Sequence, residues 1–97
     1  MRFEWDETKR KTNIAKHGID FIDVPEMSGS LMLVGTDSRK EYGETSKIGF
    51  GFIRGRLMAV AYTEREPNSI RIISARKANT REEASYQEAV ADELGKN

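Results

Sequence analysis

Ile70 to Arg81, IRIISARKANTR, constrains this chain more than any other stretch, because it joins a β-branched run to a cluster of cations and then to a helix start. Ile70, Ile72 and Ile73, with Ser74, read as a buried strand, and Arg71, Arg76, Lys77 and Arg81 sit on it and just past it. Thr80 followed three residues later by Glu83 fits a capping box, so a helix begins here. A strand edge, a basic turn and a helix N-terminus with free N–H groups therefore meet in one place, an arrangement suited to phosphate. Arginines beside a strand are also commonly solvated or paired with carboxylates, so the pattern nominates residues without assigning them.

The remaining segments arrange themselves around that strand. Phe3 to Trp5 is a short strand or extended lead-in, Asp6 an N-cap, and Glu7 to Lys16 a first helix that stops at Gly18, with His17 in its last turn. This helix is poor in apolar residues and leans on the sheet through Trp5, Ile14 and Ile19. A short second helix begins near Asp23, where Pro25 falls in its first turn; Asp20 is the other candidate cap. Leu31 to Val34 reads as a strand, Thr36 to Thr45 as a polar loop, and Ile48 to Ile53, Leu57 to Thr63 and the Ile70 run as strands joined by turns at Arg54–Gly55 and Glu66–Asn68. Short connections imply an antiparallel meander. The last helix runs from Arg81 to Leu94 and closes at Gly95, burying Tyr86, Val90 and Leu94 while Glu82, Glu83 and Glu93 face outward. The expected class is α+β, a mainly antiparallel sheet of four to five strands with two N-terminal helices and one C-terminal helix.

Size and charge narrow the functions open to such a domain. Ninety-seven residues make a single domain, residues 1–97, too small for two-halved cofactor folds. The absence of cysteine removes disulfides, thiolate zinc sites and thiol nucleophiles, and one histidine leaves no metal constellation, so neither a cofactor nor a metal is expected. No apolar run is long enough for a signal peptide or a bilayer span, which is compatible with a cytoplasmic location. Sixteen basic and sixteen acidic residues cancel, so attraction to nucleic acid has to come from a local patch. Arg65 to Arg81 supplies one, holding Arg65, Arg71, Arg76, Lys77 and Arg81 against Glu66 alone.

Several fragments taken together carry a family likeness. FEWD at Phe3 to Asp6, the segment Asn13 to Gly18 ending KHG, YGE at Tyr42 to Glu44, YTER at Tyr62 to Arg65, and RIISARKA at Arg71 to Ala78 followed by REE and Tyr86 resemble the BrnT family of toxins. The likeness covers nearly the whole chain. It implies a RelE-like fold, a ribonuclease activity that stops translation, and a partner antitoxin of the BrnA type with a ribbon-helix-helix DNA-binding region, through which alone DNA would be contacted. Two departures stand out: Ser46 where members often carry an arginine, and Glu66 where they carry a glycine.

Cleavage of RNA by its own 2′-OH requires a base, cations for the charge that builds on the phosphate oxygens, and an acid for the leaving 5′-oxygen. With one histidine, a pair of imidazoles cannot share the base and acid work. Arginine suits the middle task because its planar fork grips two oxygens and stays charged. The expected catalytic residues are His17, Arg65, Arg76 and Arg81, with Lys77 and Tyr62 contacting substrate. His17 fits a helix-end cap as well as an acid or base, and Tyr62 fits a core edge as well as a stacking residue. Strict alternation places Arg76 with Ile70, Ile72 and Ser74, and Arg71 with Lys77 on the other face, which marks Arg71 as structural. The leading reading is a metal-independent endoribonuclease toxin; the alternative, prompted by Ser46 and Glu66, is a weakened toxin-like module that mainly binds its DNA-binding antitoxin.

Overall fold

The computed structural model describes residues 2–29, 33–41, 44–65 and 67–95. In chain order these form β1 (Arg2–Trp5), α1 (Glu7–His17), a 3₁₀ segment (Phe21–Gly29), β2 (Leu33–Glu41), β3 (Glu44–Ile53), β4 (Arg56–Arg65), β5 (Ser69–Lys77) and α2 (Thr80–Gly95). The strands make one sheet in the order β1-β5-β4-β3-β2. β3 to β5 are the expected antiparallel meander and β2 extends it, but β1 pairs with β5 in parallel, so the sheet is mixed. The parallel pair arises because the chain leaves β1, crosses by way of α1 and the 3₁₀ segment to the far edge, and returns through the meander in the direction of β1.

Arg54 and Gly55, both at positive φ (52° and 74°), close the β3–β4 hairpin between Ile53 and Arg56, where a two-residue turn of this hand matches the strand twist. The stretch read as a polar loop is instead strand: Lys40 pairs with Thr45 and Glu41 with Glu44, after a register irregularity between Thr36 and Lys40. Pairing runs through the main chain and needs no apolar alternation, which is why the pattern is silent there. Leu31, Met32, Tyr42, Gly43 and Glu66 lie outside the described residues.

One face of the sheet holds the main core. Ile53, Met58, Val60, Ile72 and Ala75 pack against Ile19, Phe21, Val24 and Met27, with Phe3 and Trp5 at the margin. Trp5 meets Phe21 edge-on at 6.2 Å between ring centroids. The covering segment starts at Asp20 and not at Asp23: Asp20 Oδ1 accepts the Ile22 N–H at 3.1 Å, and the Asp23 N–H donates to the Asp20 carbonyl. Pro25 lies inside, where its ring and missing N–H oppose α-helix and leave tighter i→i+3 winding. Arg10 of α1 grips Asp20 with Nε and Nη2 at 2.8 and 2.9 Å, fastening helix to segment. That pair holds the Asp20 carboxyl down to about 2.

α1 begins at Asp6, whose side chain accepts from the Thr8 and Lys9 N–H groups, and ends at Gly18 with φ 72°. Ile14 does not lean on the sheet; it is 38% exposed, and Asn13 is the residue of α1 that is buried. On the sheet's second face α2 covers only one end, where Tyr86, Val90 and Ala78 meet Leu57, Phe50 and Phe52. The rest of that face carries Arg71, Ser74 and Arg76 above small residues, Ala59 and Ala61.

Candidate functional site

The geometry of β5 decides which cations share a surface. Arg76 stands opposite Ala59 and Ser74 opposite Ala61, but Tyr62 is already opposite Ile72 and Thr63 opposite Arg71. Ile73 is thus an extra residue, a bulge that resets the alternation. Residues directly paired across strands point to one side, so Arg71, Ser74 and Arg76 lie on a single face, the one that α2 only partly covers. Strict alternation, which separates Arg71 from Arg76, fails at this bulge, and the same shift puts Ile70 and Ile72 on the core side. Arg65, opposite Ser69, belongs to the arginine face, as does Glu4, opposite Arg71 in β1.

Arg76 is held by α2. Its Nη1 and Nη2 donate to Glu82 Oε1 and Oε2, both at 2.8 Å, and Nη1 also donates to the Lys77 carbonyl. Glu82 is fixed in turn, since its Oε1 accepts the Asn79 N–H at 2.9 Å while its own N–H donates to Asn79 Oδ1 at 2.8 Å. The capping box therefore joins Asn79 to Glu82, one residue earlier than Thr80 and Glu83, because asparagine in place of threonine supplies the cap. Glu82 does not face outward as helical spacing suggests. The guanidinium of Arg76 lowers the carboxyl pKa of Glu82, and Glu82 raises that of Arg76. Among the described residues, these bonds leave the Nε–H and one Nη2–H of Arg76, which form the second fork of the guanidinium.

The other expected cations spread along the face. Arg65 is half-buried, with Nε 3.5 Å from Glu4 Oε1. Positions 59 and 65 mark Arg76 and Arg65 on β4, so the two arginines stand about 20 Å apart along the strand and cannot grip the same phosphate. Arg81, exposed in the first turn of α2, lines a depression with Glu82, Ser85, Tyr86 and Phe50. His17, in the last turn of α1, lines a separate depression with Lys16, Thr12 and Ser74. Ser74 is two residues from Arg76 on the same face, so this depression and the arginine row share Ser74. The floor of the row is small: Ala59, Ala61 and Thr63 are all buried.

Tyr62 and Lys77 are not brought to this surface. Tyr62, opposite Lys47, is buried on the side of the 3₁₀ segment, beside a largely apolar cleft of about 400 Å³ whose lining includes Met27, Val60, Ile70 and the Lys47–Glu64 ion pair. Burial pushes the Tyr62 hydroxyl up. Lys77, opposite Met58, lies at the end of β5 on the same side and is exposed. Ser46 is 1% exposed, so the hydroxyl at that position is inside the protein and takes no place on the surface. Sequence reasoning missed Arg71, lost to the bulge, and Glu82, whose only signal was its place three residues after Asn79.

The family model of BrnT, the ribonuclease toxin of a type II toxin-antitoxin system, matches residues 5–82, from Trp5 through Glu82. The chain belongs to the BrnT family. The crystal structure of the Brucella abortus ribonuclease toxin BrnT is 33% identical, superposes with a TM-score of 0.64, and is matched over 82% of this chain and 99% of that one. No curated protein matches. The family match includes His17, Arg65, Arg71, Arg76, Arg81 and Glu82, whereas most of α2 falls beyond it. As a BrnT-family toxin of a type II system the chain has an antitoxin partner. Among the described residues no helix is long and apolar enough to cross a membrane.

Proposed function

We propose that this BrnT-family chain is a metal-independent endoribonuclease that cuts RNA on the arginine face by attack of the 2′-OH on the adjacent phosphorus, stopping translation in the cytoplasm. The observation that carries the reading is the Ile73 bulge, which sets Arg71 and Arg76 on either side of Ser74, a residue shared with the His17 depression. Arg76, gripped end-on by Glu82, offers its remaining Nε and Nη2 hydrogens to two oxygens of the scissile phosphate as charge builds on them. Glu82 orients that fork and fixes it to the helix. With a lowered pKa it is a weak base; His17, across Ser74, takes the 2′-OH proton as that oxygen bonds to phosphorus, and the P–O5′ bond breaks with the 5′-oxygen taking a proton from water. Arg65 and Arg71 engage phosphates further along the strand, and Arg81 approaches from α2. Lys77 and Tyr62 stand outside this track. The RelE-like relationship accompanies this reading: a small sheet, helices on its margins, and a basic face left open for RNA. The antitoxin is taken to be of the BrnA type, with a ribbon-helix-helix region that alone contacts DNA.

Incubation of the purified chain with RNA in EDTA tests the reading. Cleavage that survives the chelator, leaves 2′,3′-cyclic phosphate ends and disappears in Arg76→Ala is the expected result. Intact RNA at high protein excess would instead favour the weakened module that binds only its antitoxin. Carboxylates on Arg65 and Arg76 are the observation on that side.

A further inference from the structure

Lys9, Lys16 and His17 of α1 line a depression to which Arg65, Arg71 and Arg76 contribute no side chain. Asn13 is buried and bonds the Ala75 backbone through both ends of its amide, which fixes one face of α1 against the edge of β5. Residues four before, three after and four after Asn13 share that face, and these are Lys9, Lys16 and His17. Together with Thr8, Thr12, Ile73 and Ser74 they line this depression, of about 260 Å³. Its lining holds three hydroxyls, two ammonium groups and the His17 imidazole, and among the described lining residues there is no carboxylate. Solvated lysines on a helix are common, but here they surround a concavity whose walls are held by a buried amide and whose rim, Ser74, lies about 7 Å along β5 from Arg76, on the scale of one nucleotide step.

We propose that Lys9 and Lys16, with the hydroxyls of Thr12 and Ser74, form a second phosphate subsite for RNA, one that takes the backbone of the strand after it leaves the arginine row and passes onto α1. This inference rests on the RNA-cleaving reading of the arginine face. The ammonium groups supply charge without shape, so the subsite holds any nucleotide and lengthens the footprint without choosing a base. A short oligonucleotide fills the arginine row alone; a longer one also reaches α1.

The test measures binding of non-cleavable 2′-O-methyl RNA of increasing length to the full chain, to Lys9→Ala/Lys16→Ala, and to Lys11→Ala. Lys11 lies on α1 outside the depression and is exposed, so its loss removes charge without touching the subsite. On long RNA the double variant should lose salt dependence: two fewer phosphate contacts lower the slope by about 1.4, so the parent weakens about sevenfold more than the variant between 50 and 200 mM salt. On the shortest RNA that binds, parent and double variant should agree, and Lys11→Ala should follow the parent at every length. Equal slopes for parent and double variant on long RNA overturn the subsite while leaving the arginine face standing, as does an equal loss in Lys11→Ala. A parent that binds RNA at no length overturns both, and an Arg71→Ala variant that binds like the parent locates the failure in the arginine face itself.

Discussion

Asn13 completes the edge of β5 at Ala75: its Nδ2 donates to the Ala75 carbonyl at 2.9 Å and its Oδ1 accepts the Ala75 N–H at 3.1 Å, the two bonds a neighbouring strand would have made. β1 pairs with β5 only as far as Ile72, so the side chain of a helix takes over where the strand stops. The same Nδ2 also donates to the Ile19 carbonyl, tying in the segment that leads to the core. Asn13→Ala would strand a buried donor and two buried acceptors and should cost about 3 kcal/mol in urea unfolding. A loss below about 0.5 kcal/mol would mean that water serves the Ala75 edge equally well. Asn13→Asp should also destabilise, since a carboxylate cannot donate to either carbonyl.

Acid should act through Asp20. Its folded carboxyl is held at about 2 by the Arg10 fork, below the ordinary 3.8, so the unfolded chain binds its proton first as the pH drops. The stabilisation is present above pH 4 and fades as the pH falls from there toward 2. Asp20→Asn lacks it throughout. Thermal melts of parent and variant should therefore be separated at pH 6 and converge toward pH 2; a separation that stays constant across that range would assign the stabilisation to packing.

Much of the fold was legible because its signals are local. Asp6 and Gly18 bound α1 by their own backbone chemistry, Arg54–Gly55 makes a turn wherever it occurs between strands, and the Ile70 run has no other plausible home than a sheet. What failed was non-local. A bulge is defined by its partner strand, so the neighbours of Ile73 alone could not reveal that Arg71 shares a side with Arg76. The parallel pairing of β1 depends on the route of the whole chain, and the inward turn of Glu82 depends on a guanidinium six positions away. The candidate cations were thus legible as a set, while their sides of the sheet were not.

Side of the sheet gives a direct comparison. Arg71→Ala and Arg76→Ala, on the open face, should each reduce RNA cleavage, Arg76→Ala by about a hundredfold and Arg71→Ala by about tenfold, because both remove cations from the phosphate track. Tyr62→Phe and Lys77→Ala, on the side of the 3₁₀ segment, should leave the rate within about twofold. If Lys77→Ala were as damaging as Arg71→Ala, the bulge would not be organising the site.

Glu82 has two tasks, capping α2 through Asn79 and holding Arg76, and two substitutions separate them. Asn79→Ala removes the Oδ1 that accepts the Glu82 N–H but keeps the backbone N–H that donates to Glu82 and leaves the Arg76–Glu82 fork, so it should cost about 1 kcal/mol of stability and little activity at a temperature where the protein is folded. Glu82→Gln keeps an oxygen for the Asn79 N–H and loses the charge that orients Arg76. Its melting temperature should fall no further than that of Asn79→Ala, while kcat drops about tenfold with KM nearly unchanged, since a misaligned fork fails when charge builds on the phosphate more than when RNA first binds. Glu82→Asp, whose shorter carboxylate restores the charge, should recover part of the rate. A Glu82→Gln enzyme that turns over faster than the parent would show that Glu82 competes with phosphate for Arg76, and the pair would then act as a brake and not as a support.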